Sequence, residues 1–118
     1  MPGFALTIPP GATAGVTGPD MSFPSARGVS VVLDMTVPGT GSVTLTIEGK
    51  DGASGKYYPL LSGAAVTTVS TNRYTVYPGL TAAANAVASD VLPAVFRLRV
   101  TANNANPATY TVGASTIP

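Results

Sequence analysis

The chain has 118 residues, enough for one compact domain. Only 9% are charged, against roughly 25% in ordinary soluble domains, and six basic and five acidic side chains leave a formal charge of +1. Cys, His and Trp are absent, which excludes disulfide frameworks, thiolate or imidazole metal sites and every catalytic scheme built on His or Cys; neither a cofactor nor an enzyme is expected.

Residues 1–27 are broken up by Pro2, Pro9, Pro10, Pro19 and Pro24 and by Gly3, Gly11, Gly15 and Gly18, so neither helix nor ladder periodicity persists there. The composition is also unlike that of a highly charged disordered tail, since Asp20 and Arg27 are its only charges. Phe4, Leu6, Ile8, Val16, Met21 and Phe23 stand as apolar anchors between the breakers. The stretch reads as an extended N-terminal arm whose anchors form an interface, lying either along a companion surface or along its own domain.

From residue 28 to 118 the pattern is that of strands. Val29, Val31, Leu33, Met35 and Val37 alternate on one face, and Val43, Leu45 and Ile47 do so after Pro38-Gly39-Thr40-Gly41, which predicts an antiparallel hairpin. Gly49 to Lys56 is a glycine-rich polar loop, and Tyr57 to Leu61 a short strand placed at a sheet edge by Pro59. A weaker strand over 64–69, a turn at Ser70-Thr71-Asn72 and a strand over 73–77 follow. Residues 80–90 contain helix formers and predict a loop with at most a short helix. The strand over 95–101 buries Phe96, Leu98 and Val100 and exposes Arg97 and Arg99, and Thr109 to Val112 closes the set. About seven short strands with regular turn signals predict an all-β antiparallel sandwich, immunoglobulin-like or jelly-roll-like.

The candidate chemistry is thin. Asp34, Glu48, Asp51 and Asp90 could in principle supply a carboxylate pair, Asp34 and Glu48 doing so across the expected hairpin, although solvated strand charges are the commoner reading. Asp51 alone is too few acids for a calcium loop, and Gly49, Gly52 and Gly55 precede Lys56-Tyr57 rather than the Gly-Lys-Ser/Thr of a phosphate loop. Tyr57, Tyr58 and Tyr77 are a candidate ligand platform for sugars or bases, competing with roles in the core or an interface. Arg73, Arg97 and Arg99 would form a basic stripe if their strands pair, either solvated or matched to an acidic neighbour. Six dispersed basic residues are too few for a phosphate-binding face, so no nucleic acid is expected. With no apolar run near the ~20 residues of a spanning helix and no basic start to an export signal, no membrane is expected either.

Val31 to Thr36, Val43 to Asp51 and Ser54-Gly55-Lys56-Tyr57-Tyr58, within the stretch from Ser25 to Leu80, resemble small virion structural proteins of tailed bacteriophages. Tyr77-Pro78-Gly79-Leu80 and Val95 to Val100 are similar to the same group, so that the resemblance spans residues 25–118. It implies a role in a particle, foremost that of a capsid decoration or cement protein. Such a protein sits on the outer shell of a head assembled in the host cytoplasm, often as a trimer. The implied partners are the major capsid protein and further copies of the chain. A carbohydrate-binding or host-adhesion module of the virion and a tail or head-completion component are the alternatives.

Overall fold

The computed structural model describes residues 3–8, 16–17, 20–104, 106 and 108–117. Ten strands run in chain order: β1 (Gly3–Ile8), β2 (Val16–Thr17), β3 (Met21–Ser22), β4 (Gly28–Val37), β5 (Val43–Lys50), β6 (Tyr57–Ser62), β7 (Ser70–Val76), β8 (Val87–Ala88), β9 (Val95–Ala102) and β10 (Thr109–Ile117). Sheet I has the order β1-β10-β4-β7-β8; sheet II has the order β2-β9-β5-β6, with β3 also on β9. The described residues contain no helix, and the all-β sandwich is as expected, with three two-residue strands among its ten.

The pairing follows a nested plan. About the loop at 51–56, β5 pairs with β6, β4 with β7, β2 and β3 with β9, and β1 with β10, all antiparallel. The first half of the chain thus pairs with the second in reverse order, as one long hairpin rolled into two layers. That is a jelly roll, the second of the two sandwich types expected.

Alternation decides what fills it. Val29, Val31, Leu33 and Met35 of β4 face Leu45 and Ile47 of β5 together with Phe96, Leu98 and Val100 of β9, all fully buried. Burying each such side chain stabilises the fold by roughly 1.5–3 kcal/mol before entropy is counted. Tyr110 and Val112 of β10 complete the same core.

The hairpin expected between β4 and β5 does not form, because β4 pairs with β10 and β7 while β5 pairs with β6 and β9. Period-two alternation fixes the face that a strand buries but not its neighbour. Two inward stripes satisfy the pattern equally well as opposing layers. Residues 38–42 therefore cross between sheets, with Gly39 at φ 54° and Gly41 N–H donating to Pro38 O at 2.8 Å. The register slips where Thr109 pairs with Val37 and Tyr110 with Met35, leaving Thr36 as a bulge. Val37, expected inside, consequently stands 58% exposed.

Other boundaries move for similar reasons. The hairpin proper is β5–β6: Asp51 N–H donates to Lys56 O, Gly55 N–H donates to Asp51 O, and Gly55 takes φ 73°. β6 is indeed an edge strand, with a register shift at Leu60, just after Pro59. Of the strand expected over 64–69, only a bridge between Val66 and Val43 forms, because this segment crosses from sheet II to sheet I. Ser70-Thr71-Asn72, expected as a turn, opens β7; Thr71 Oγ1 donates on the outer face to Asp34 Oδ1, while Ser70 and Asn72, half-buried on the same face as Tyr74, satisfy each other through Asn72 Nδ2 donating to Ser70 Oγ. The 80–90 stretch is a loop, in which Asn85 at φ 62° breaks any helix and β8 pairs in parallel with β7. β10 runs on through Gly113 to Ile117.

The described parts of residues 1–27 belong to both sheets. β1 pairs with β10 over its whole length, and β2 and β3 pair with β9, which is the own-domain placement of the two left open above. Arg27 then leads into β4, its N–H donating to Ile117 O at 2.8 Å while its carbonyl accepts from Leu92 N–H.

Candidate functional site

Both salt bridges among the described residues lie on the outer face of sheet II, where β5, β9 and β6 meet the segment before β3. Glu48 and Arg97 are register partners on β5 and β9, and alternation turns both away from the core. Arg97 Nε donates to Glu48 Oε1 at 2.7 Å, and the two side chains are only 20% and 11% exposed. The Arg97 guanidinium carbon lies 3.4 Å from the centroid of the Tyr57 ring, a stacked cation–π contact that a planar guanidinium makes well. Tyr57 Oη donates to Asp20 Oδ1 at 2.6 Å, and Lys50 Nζ donates to Asp20 Oδ2 at 3.0 Å. Lys50 Nζ is also 5.6 Å from the Tyr57 centroid.

Two anions, two cations and one phenol are thereby linked in a continuous clasp. The hydrogen bond from Tyr57, then that from Lys50, holds the Asp20 carboxyl below its ordinary value. The bond to Asp20 in turn raises the Lys50 ammonium. Both shifts favour the charged forms between the acid and alkaline limbs, so the network keeps its ions and cancels their charge. Its structural effect is to tie Asp20, ahead of β3, to the β5–β6 hairpin. Nearby, Phe23 N–H donates to Ala94 O at 3.0 Å, and its ring centroid lies 6.2 Å from that of Phe96.

The arm residues named as interface anchors divide accordingly. Met21 pairs with Phe96 in register, and Met21 and Phe23 pack half-buried against the core of their own chain. Phe4, Leu6 and Ile8 occupy register positions opposite Ala114, Val112 and Tyr110, and Val16 one opposite Val100, while their side chains lie outside the described parts.

The expected basic stripe is not assembled. Arg97 and Arg99 are on β9 in sheet II, whereas Arg73 is on β7 in sheet I, so their strands never pair. Arg99 is exposed opposite Thr46 and Thr17. The carboxylates weighed as a pair are also separated: Asp34 is on sheet I beside Thr71, and Glu48 is on sheet II under Arg97. Asp51 is occupied within its own turn, where Ser54 Oγ donates to it at 2.7 Å and, with the Ala53 and Ser54 amides, holds its carboxyl below the usual range.

Nor do the three tyrosines make one platform. Tyr57 is committed to the clasp, and Tyr77 is half-buried beside Gly28 at the other sheet. Tyr58 is exposed. It crosses Gly49 together with Pro93 so closely that a Cβ there would lie 2.8 Å from the ring and 2.7 Å from the proline. A groove of about 470 Å³ lined by Lys50, Gly52, Ala94 and Val95 opens on the same side.

Sequence reading missed the clasp because its members come from four separate segments. The one legible hint was Asp20, the single acid in a long uncharged run. No protein-family model and no curated protein matches this sequence.

Proposed function

We propose that this chain is a structural virion protein, a capsid decoration protein that binds the outer surface of a phage head and stabilises the shell. The observation that carries the reading is the character of the surface. On sheet II four of the few charges cancel one another, while Val37 and Val69 stand 58% and 71% exposed where β4 ends and β7 begins. Leu80 and Val91 are exposed in the connections that follow β7 and β8. A low-charge jelly roll with apolar side chains in its connections suits adhesion through area and repetition rather than chemistry. The resemblance of residues 25–118 to small virion proteins points the same way.

Many weak contacts across capsid subunits stiffen a pressurised shell without any one of them being strong. The partners are then the major capsid protein and sister copies, and the location is the capsid exterior. The test is saturation binding of the purified protein to capsids lacking it, scored by resistance of the loaded shells to heat. The reading predicts saturable binding and a raised disruption temperature; no binding, or binding without protection, contradicts it.

One observation favours a second reading, a glycan-binding or host-adhesion module of the virion: the exposed Tyr58 ring beside the groove at Lys50 and Gly52. Binding to a glycan array that is lost in Tyr58→Ala supports it, and an array without hits removes it.

A further inference from the structure

We propose that the outer face of sheet I is a self-complementary interface through which two copies of this chain pair about a twofold axis. The strands of this sheet carry two charged residues, Asp34 on β4 and Arg73 on β7. Asp34 is in register with Thr71, and Arg73 with Val32, so the two charges are diagonal neighbours on adjacent strands, ~7–8 Å apart at the backbone. Among the described residues neither joins a salt bridge. Each is instead steadied by a hydroxyl on the neighbouring strand: Thr71 Oγ1 donates to Asp34 Oδ1 at 3.0 Å, and Arg73 Nε donates to Ser30 Oγ at 3.2 Å.

The relief around this pair is low. Ser30, Val32, Thr75, Thr111, Gly113 and Ser115 share the outer face with no lysine, glutamate or aromatic ring among them. Such a surface lets another sheet approach closely and costs little side-chain entropy to cover. Four such strands span an area on the order of 30 by 19 Å, about 570 Å² per partner, which is the size of a weak, reversible complex rather than a permanent one.

Charge selects the occupant. A twofold axis lying in the interface, at right angles to the line from Asp34 to Arg73, brings each carboxylate onto the partner's guanidinium and repeats the contact by symmetry. A patch with one anion and one cation side by side, neither neutralised within its chain, matches a second copy of itself. The outer face of sheet II lacks this property: its acids Asp20 and Glu48 are already joined to Lys50 and Arg97, which leaves the exposed Arg99 as a cation with no matching acid to offer a second copy. The interface rests on the reading that copies of the chain meet one another, but not on the presence of a capsid.

Sedimentation velocity of the purified full chain over a concentration series tests it. The expected result is a reversible dimer that weakens with added salt. Asp34→Arg and Arg73→Asp each set like charges together twice per dimer and raise the dissociation constant on the order of a hundredfold. Mixing the two variants, or combining both changes in one chain, restores it. A wild-type chain that stays monomeric overturns the interface, as does a dimer indifferent to both substitutions or a mixture that fails to recover. A monomeric chain that still saturates capsids overturns this interface while leaving decoration intact; a dimer behaving as described that ignores capsids upholds the interface and removes decoration.

Discussion

The two outer faces of the sandwich treat charge in opposite ways. On sheet II, Glu48 and Arg97 face each other in register, and Asp20, Lys50 and Tyr57 extend the pair into a clasp within one chain. On sheet I, Asp34 and Arg73 miss each other by two residues along the strands and are held only by hydroxyls. A register offset of that size separates an ion pair that belongs to the fold from two charges open to a partner. The faces therefore differ in what they offer: sheet II ties its charges into the fold, whereas sheet I leaves two for the pairing proposed above.

Substitutions at the two arginines have unequal consequences. Arg97→Ala leaves the Glu48 carboxylate, 8% exposed, without its counter-charge and strips the Tyr57 ring of its cover. The expected loss is about 2–4 kcal/mol, below that for a fully buried pair because both side chains retain some solvent contact. Urea unfolding monitored by circular dichroism measures it. Arg97→Lys recovers only part of the loss, because an ammonium neither stacks nor presents Nε in the plane of the carboxylate.

Tyr110 supplies a change of opposite sign. Its hydroxyl is buried in the core with no hydrogen-bond partner among the described residues, and burial pushes the phenol up from its ordinary value. Tyr110→Phe removes an unsatisfied donor without opening a cavity, so unfolding free energy rises by about 1–2 kcal/mol in the same assay. Arg73→Ala, on the solvated face, changes the stability of the dilute chain by no more than about 0.5 kcal/mol. A loss at Arg73 equal to that at Arg97 would erase the distinction between the faces.

The pH dependence sharpens the account of the clasp. Asp20 titrates below its ordinary 3.8 in the folded chain, so its share of stability is complete above 3.8 and is lost as pH falls through the folded value. Lys50 titrates above 10.5, so its share is complete below 10.5 and is lost as pH rises through the folded value. Thermal melts of wild type and Asp20→Asn should differ at neutral pH, begin to approach each other below 3.8 and coincide once pH is under the folded value. Parallel curves throughout would mean that Asp20 holds nothing in place.

Much of this architecture was legible in the alternation of apolar residues. Val29 to Met35, Val43 to Ile47 and Phe96 to Val100 bury the faces that their spacing dictates. Adjacency was not legible, since two inward stripes joined by a short turn fit a hairpin and a crossing between layers equally well. Gly39 and Gly41 permit either course, and the decision comes from the distant partners β10 and β9. The bulge at Thr36 that turns Val37 outward likewise depends on a strand more than seventy residues away. The clasp was hidden for the same reason: Glu48 and Arg97 each read correctly as outward, but only the pairing of β5 with β9 brings them together. The tyrosines were misjudged as a group, because Tyr57 and Tyr58 are neighbours in sequence yet one is engaged by Arg97 and the other lies across Gly49.

A cryo-electron-microscopy map of the purified particle decides whether the chain coats a phage head. Density for this jelly roll repeated over the whole outer shell, seated on the major capsid protein, is the predicted result. Its confinement to a tail or a single vertex, or its absence from the particle, would contradict the account.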